Sequence, residues 1–293
     1  NRAAYFFVTL PIYRDGMTMT WQNGRQLATL QKDGNNIQYS YDSDGVRVSK
    51  TVNGEKRTYT YLNGLLICET RGDKFFNYSY DANGTLYAVS YKLNPNGQEF
   101  AYYYTHNWRG DIVGIYNGNG ELRAKYTYDS WGNVTSITDG DGNAVTSPTH
   151  VGNLNPFRYR GYYMDTETGF YYLMSRYYDP VTHRFLNADG YFQTGLGILD
   201  PNMNAYCVNN PIMISDPAGC CYIARKTSAG TYIGTYWTII TAVPGVPNFC
   251  YNCKQYKPNT ATKNYIEPVV TESFKKSASL PPTGPPNSKL SLY

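Results

Sequence analysis

The chain has 293 residues, enough for one or two domains. Hydrophobic residues make up 41%, yet 32 residues are Tyr and only 16% are charged, and no apolar run approaches the length of a membrane span. Net charge is +4 and uneven: after Gly219 eight Lys or Arg face two Glu, while the preceding body is near neutral. Tyr favours strands and can sit half buried, and frequent Gly, Asn and Asp supply turns, so the composition predicts an all-β chain of many short strands. No secretory signal is present, and the chain opens at Asn1 rather than Met, so it is read as a piece of a longer protein.

A repeat runs along the first half. Its copies are Tyr39-Ser40-Tyr41-Asp42-Ser43-Asp44-Gly45, Tyr59-Thr60-Tyr61-Leu62-Asn63-Gly64, Tyr78-Ser79-Tyr80-Asp81-Ala82-Asn83-Gly84 and Tyr126-Thr127-Tyr128-Asp129-Ser130-Trp131-Gly132. A looser copy runs from Tyr102-Tyr103-Tyr104 to Arg109-Gly110-Asp111. Each unit reads as strand, tight turn, strand. The two Tyr of a pair share one face because side chains alternate, and the turn needs a residue at positive φ. The return strands are expected to alternate again, through Val46 and Val48, Leu86 and Ala88, and Ile112, Gly114 and Tyr116. One such hairpin is marginal alone, whereas stacked hairpins bury their faces on their neighbours. Asp139-Gly140-Asp141-Gly142-Asn143 has calcium-loop spacing but lacks the distant Glu of an EF-hand, so it is read as a turn. Arg109-Gly110-Asp111 spells an adhesion tripeptide but falls where the repeat needs its turn.

From Phe157 to Gly219 the motifs crowd together. Asp165-Thr166-Glu167-Thr168-Gly169 is a turn between aromatic strands, Asp179-Pro180 opens a second turn, and Arg184-Phe185-Leu186 is the return strand. His183 occupies that second turn. The stretch 190–204 is a loop, with a short helix around Asn204 to Asn209, and Asn209-Asn210-Pro211 and Asp216-Pro217 close the module.

The repeat resembles the YD repeat of RHS and teneurin proteins, and Phe157–Gly219 resembles the RHS-repeat-associated core domain nearly end to end. The resemblance implies a β-ribbon spiralling into a hollow shell, with more shell upstream, closed by the core. It also implies an aspartyl autoprotease that frees a variable tail. By motif, Asp189 of Asn187-Ala188-Asp189 and Asp216 of Asp216-Pro217-Ala218-Gly219 are the paired carboxylates, and Arg176 of Arg176-Tyr177-Tyr178-Asp179-Pro180 is their basic partner. Two close carboxylates do not both ionise easily, so one acts as acid while the other activates water. The scissile bond lies just after Gly219-Cys220. The chain departs from the family at Gly190, where Pro is common, at His183, where Gly is usual, and at Cys220, where Leu is usual.

The tail is short, basic and rich in Thr, Tyr and Pro. Ile223 to Val243 reads as two or three strands, and the Pro-rich end from about Ser277 as disordered. All three His lie in the body and the tail has no Asp, a poor inventory for catalysis. Its charge allows binding to nucleic acid or acidic lipid. Cys220, Cys221, Cys250 and Cys253 read as disulfides, free thiols or a four-thiolate zinc site; no cofactor is expected. Leu280-Pro281-Pro282-Thr283-Gly284 matches a sortase signal without the apolar span that should follow it.

The expectation is therefore three parts: a YD-repeat ribbon over 1–150, the core domain over 151–219 and a variable tail over 220–293. The favoured reading is a secreted or surface-displayed bacterial shell that encloses or displays its tail in intercellular competition, with a cognate immunity protein as partner. The alternatives are a non-catalytic surface adhesin binding glycans and a toxin enzyme seated in the tail.

Overall fold

The computed structural model describes residues 13–14, 16–188, 202–219 and 223–224, all within one compact unit. The fold is all-β. Thirteen strands, from Tyr13–Arg14 to Val134–Thr138, form one antiparallel sheet in strict chain order, so every neighbour in space is a neighbour in sequence. This is the ribbon that the repeat predicts.

The Tyr-x-Tyr-Asp pattern has a physical meaning at each residue. The side chain of Asp42 accepts the backbone N–H groups of Asp44 and Val46, at 3.0 and 2.9 Å. Asp81, Asp129 and Asp139 bind the corresponding amides two and four residues on, and Asn107 and Asn117 replace Asp in the same geometry. The Asp is thus consumed by its own turn, in the manner of an Asx-turn. The calcium-like run at Asp139 is one more such turn. The copy at Asn63-Gly64 differs: both residues hold positive φ, which is the two-residue hairpin turn.

The second Tyr of a pair ties one hairpin to the one before. Tyr41 donates its hydroxyl to the Leu27 carbonyl at 2.9 Å, Tyr80 to Leu66 at 2.9 Å, and Tyr128 to Ile112 at 2.6 Å. Phe would fill the same volume and leave a carbonyl short of a partner. Tyr80→Phe should therefore lower the unfolding free energy by about 1 kcal/mol in a urea titration, while Tyr87→Phe, on the exposed face, should change it by less than about 0.5 kcal/mol. Register also shifts at Ser40/Tyr41, Thr60/Tyr61, Ser79/Tyr80 and Thr127/Tyr128, a bulge beside each pair. Bulges bend a strand and increase its twist, so their recurrence curls the ribbon.

The block after the ribbon fills the inside of that curl. Strands Tyr163–Asp165, Phe170–Leu173, Arg176–Asp179 and Arg184–Phe185 form a separate four-stranded antiparallel sheet. Its Phe170, Tyr172 and Tyr177 pack with Met17, Leu30 and Ile37 from the first ribbon strands. Tyr163 and Phe157 pack with Tyr59, Tyr78 and Ile115 further along. Its other face, with Tyr171 and Tyr178, packs on Tyr206 and Ile214.

The turn that follows Tyr126-Thr127-Tyr128 is read by three tyrosine hydroxyls. Tyr159 donates to the Ser130 carbonyl at 3.0 Å, Tyr178 to Trp131 at 2.7 Å and Tyr171 to Gly132 at 2.8 Å. A Cβ at Gly132 would meet the Tyr159 ring at 2.5 Å, and its φ of +94° is strained for any other residue. His183 is a turn residue, as expected, at φ +62°, with its ring stacked on Trp131 at 4.1 Å.

Two expectations need correction. The helix expected around Asn204 to Asn209 is a single 3₁₀ turn, Cys207–Asn209, with φ of 49°, 52° and 62°, so it is left-handed rather than α-helical. The strand after Asp42 does not alternate simply: Arg47, Ser49, Lys50 and Val52 are buried while Val46 and Val48 are half exposed, because the register shifts beside Arg47. The inward place of Arg47 is explained by the charges it meets there. The tail strands expected after Ala224, Asp189, the tail cysteines and the Leu280–Gly284 motif lie outside the described residues. Among the described residues no helix is long and apolar enough to cross a membrane.

Candidate functional site: the buried exit of the core block

The core block is held by charges that the ribbon turns inward. Asp165 is fully buried and accepts Arg47 Nη1 at 2.7 Å and Lys50 Nζ at 2.9 Å. Lys50 also reaches Glu167 at 2.8 Å, and Glu167 takes Arg57 at 2.6 Å. Around the Arg47 guanidinium stand the rings of Tyr172, Tyr59 and Tyr163, at 4.2, 4.9 and 5.2 Å. A second buried set joins Glu69 to Arg71 at 2.6 Å and to the hydroxyls of Tyr163 and Tyr78.

Burial by itself would raise the Asp165 carboxyl pKa; Arg47 and Lys50 overcome it and hold the group down at about 2. A carboxylate whose folded pKa lies below its unfolded value stabilises the fold above the unfolded pKa and loses that contribution as pH falls. Asp165 should therefore contribute about 2 kcal/mol at neutral pH, lost between about pH 4 and pH 2. Asp165→Asn should flatten that acid limb in a denaturation series across pH.

At the far end of the block, Arg176 sits at the start of its strand, 4% exposed, with its guanidinium over the Phe185 ring at 3.5 Å. Its Nη2 donates to Asp216 Oδ2 at 3.1 Å, its Nη1 to the Met203 carbonyl at 2.9 Å, and its Nε to the Gly219 carbonyl. The Asp216 backbone N–H is in turn bound by the Tyr162 hydroxyl at 3.1 Å. Strand Ile214–Ser215 pairs antiparallel with Ile223–Ala224, so the chain reverses between Ser215 and Ile223, across the expected cut.

Of the residues expected to act, the structure brings Arg176, Asp216 and Gly219 together in a buried cluster. Asp189 and Cys220 lie outside the described residues. Cys207 is buried nearby; burial first, and then the Asp216 charge, push its thiol well above its ordinary range, which makes it inert rather than nucleophilic. Among the described residues no group of His, Cys, Asp and Glu has metal-binding geometry. The Arg109-Gly110-Asp111 tripeptide is turned inward: Asp111 is fully buried, ion-paired to Arg109 at 3.0 Å, and accepts the Arg160 N–H at 3.0 Å.

Sequence reasoning missed Arg47, Lys50 and Asp165. Charged residues usually read as a solvated face, and alternation through Val46 and Val48 placed Arg47 outward; the register shift beside it turns it in. It also missed the turn at Met174-Ser175, which carries no Gly, Asn, Asp or Pro.

Residues 107–144 match the family model described as RHS Repeat. The tRNA3(Ser)-specific nuclease WapA of Bacillus spizizenii is 37% identical over 209 residues, which are 69% of this chain and 8% of that protein. The toxin protein Tse5 of Pseudomonas aeruginosa is 31% identical over 110 residues, 38% of this chain and 7% of its own length. The chain thus spans less than a tenth of these relatives. Among solved structures, the crystal structure of TcdB2-TccC3-Cdc42 superposes with a TM-score of 0.54 at 21% identity, covering 70% of this chain and 10% of that one, a likeness of fold.

Proposed function

Because the chain is an RHS/YD-repeat protein, we propose that it forms the closing part of a polymorphic-toxin shell, whose core block cuts the chain and frees the tail. The observation that carries this reading is the buried Arg176–Asp216 pair, with the same guanidinium on the Gly219 carbonyl at the point where the chain leaves the core. Its burial removes competing water and strengthens every charge interaction there.

In the proposed reaction one carboxylate of the Asp189/Asp216 pair takes a proton from water as the oxygen adds to the Cys220 carbonyl carbon. The C–N bond to Cys221 then breaks, and the protonated carboxyl of the pair supplies the proton to the departing nitrogen. Cys220 gains a carboxylate and Cys221 an amine. Arg176 orients Asp216 and fixes the backbone just before the bond.

The ribbon serves as wall, joined to upstream shell, and the released basic tail is the effector, with an immunity protein as its antagonist. Secretion or surface display suits that role. The nuclease activity named for WapA is not carried over, since the tail lacks His and Asp. Adhesion through the Arg109-Gly110-Asp111 tripeptide is disfavoured because Asp111 is buried. On a denaturing gel, purified full-length chain should resolve into a body and a tail band; a single full-length band would refute release by self-cleavage.

A further inference from the structure

The tight turn between the two central strands of the core sheet grips the exit segment at Ala218 and Gly219. Leu173 pairs directly with Arg176, so Met174 and Ser175 make a two-residue turn. Met174 holds φ of +59°, a position that favours glycine. That strained backbone aims Ser175 at the exit. The Ser175 hydroxyl donates to the Ala218 carbonyl at 2.8 Å, and the Ser175 backbone N–H approaches the same oxygen at 3.3 Å. One residue on, Arg176 Nε takes the Gly219 carbonyl.

The fit leaves no slack at Gly219. A Cβ there would stand 2.6 Å from the Leu173 carbonyl oxygen and 2.9 Å from Ser175 Oγ, and Gly219 holds φ of +72°. The consecutive Ala218 and Gly219 carbonyls of the exit segment are therefore fixed by Ser175 of the turn and by Arg176 beside it, immediately before Cys220. Peptide hydrolysis depends strongly on placing the carbonyl against its acid and base, and a displacement of about 1 Å can cost a hundredfold in rate.

We propose that Ser175 is a positioning residue for the self-cleavage, its hydroxyl fixing the exit segment at Ala218 across Arg176 and Asp216. This rests on the self-cleavage reading. It goes beyond it in assigning a role to a residue outside the acidic pair and its arginine. Ser175 is a side chain of intermediate exposure on a turn, so its loss does not open a buried void.

The test is the rate of appearance of the tail fragment after a pulse of cell-free synthesis of the full chain, followed by intact mass, with melting temperature measured on the purified products. Ser175→Ala should slow release roughly 3- to 10-fold, the loss of one hydrogen bond, with melting unchanged. Ser175→Thr, which keeps the hydroxyl, should restore the rate. Gly219→Ala should slow release further and shift or blur the cut. Should the wild type yield no fragment, the self-cleavage reading falls and this role falls with it. Should the wild type cleave while Ser175→Ala cleaves equally fast, or while Thr fails to rescue, only the positioning role is overturned.

Discussion

Asp165→Ala should lower the unfolding free energy by about 3–5 kcal/mol and the melting temperature by about 10 °C, the largest stability effect expected of a single substitution here. The reason is what it leaves behind. Arg47 and Lys50 are both fully buried, and Asp165 accepts from each at 2.7 and 2.9 Å. Without it two cations remain out of water; Glu167 still holds Lys50, but Arg47 keeps only tyrosine rings and hydroxyls. Replacing Arg47, Lys50 and Asp165 together with apolar residues of similar volume should recover most of the loss, since a buried ion pair rarely outperforms good packing. If Asp165→Ala melts within about 2 °C of the wild type, the network does not hold the block to the ribbon.

Asp216→Asn should abolish tail release, lowering its rate by at least about a hundredfold, within the range expected for losing a general acid or base. Asn keeps the size and one acceptor for Arg176 Nη2, so the local packing survives and the change is chemical. Melting should move by no more than about 3 °C, which separates this variant from Asp165→Ala. Undiminished release from Asp216→Asn would remove the carboxylate from the mechanism.

The ribbon was legible in the sequence because its information is local. Each Asp bonds amides two and four residues away, and Tyr41, Tyr80 and Tyr128 each bond a carbonyl 14 to 16 residues back. Such spacings recur in the text of the chain. The order Asp165 to Gly169, then Asp179-Pro180, likewise marked two core hairpins through turn chemistry. The remaining core turn was illegible because Met174 takes positive φ without glycine, held there by the surrounding sheet.

The charge network was hidden for a different reason. Arg47 and Asp165 are 118 residues apart, and nothing local distinguishes a buried arginine from a solvated one. The inward place of Arg47 becomes meaningful only once Tyr172 and Asp165 are known to meet it. At the exit, the family resemblance singled out Arg176, Asp189 and Asp216, of which Arg176 and Asp216 meet in the described residues, beside Gly219. It was silent on Ser175 and Tyr162, whose hydroxyls bond backbone atoms there and belong to no motif.

The most direct measurement is N-terminal sequencing of whatever tail species accompanies the purified wild-type chain. The expected species is a fragment beginning at Cys221, absent from Asp216→Asn. An intact chain of 293 residues, or a fragment whose first residue lies far from the Arg176 cluster and persists in Asp216→Asn, would contradict it.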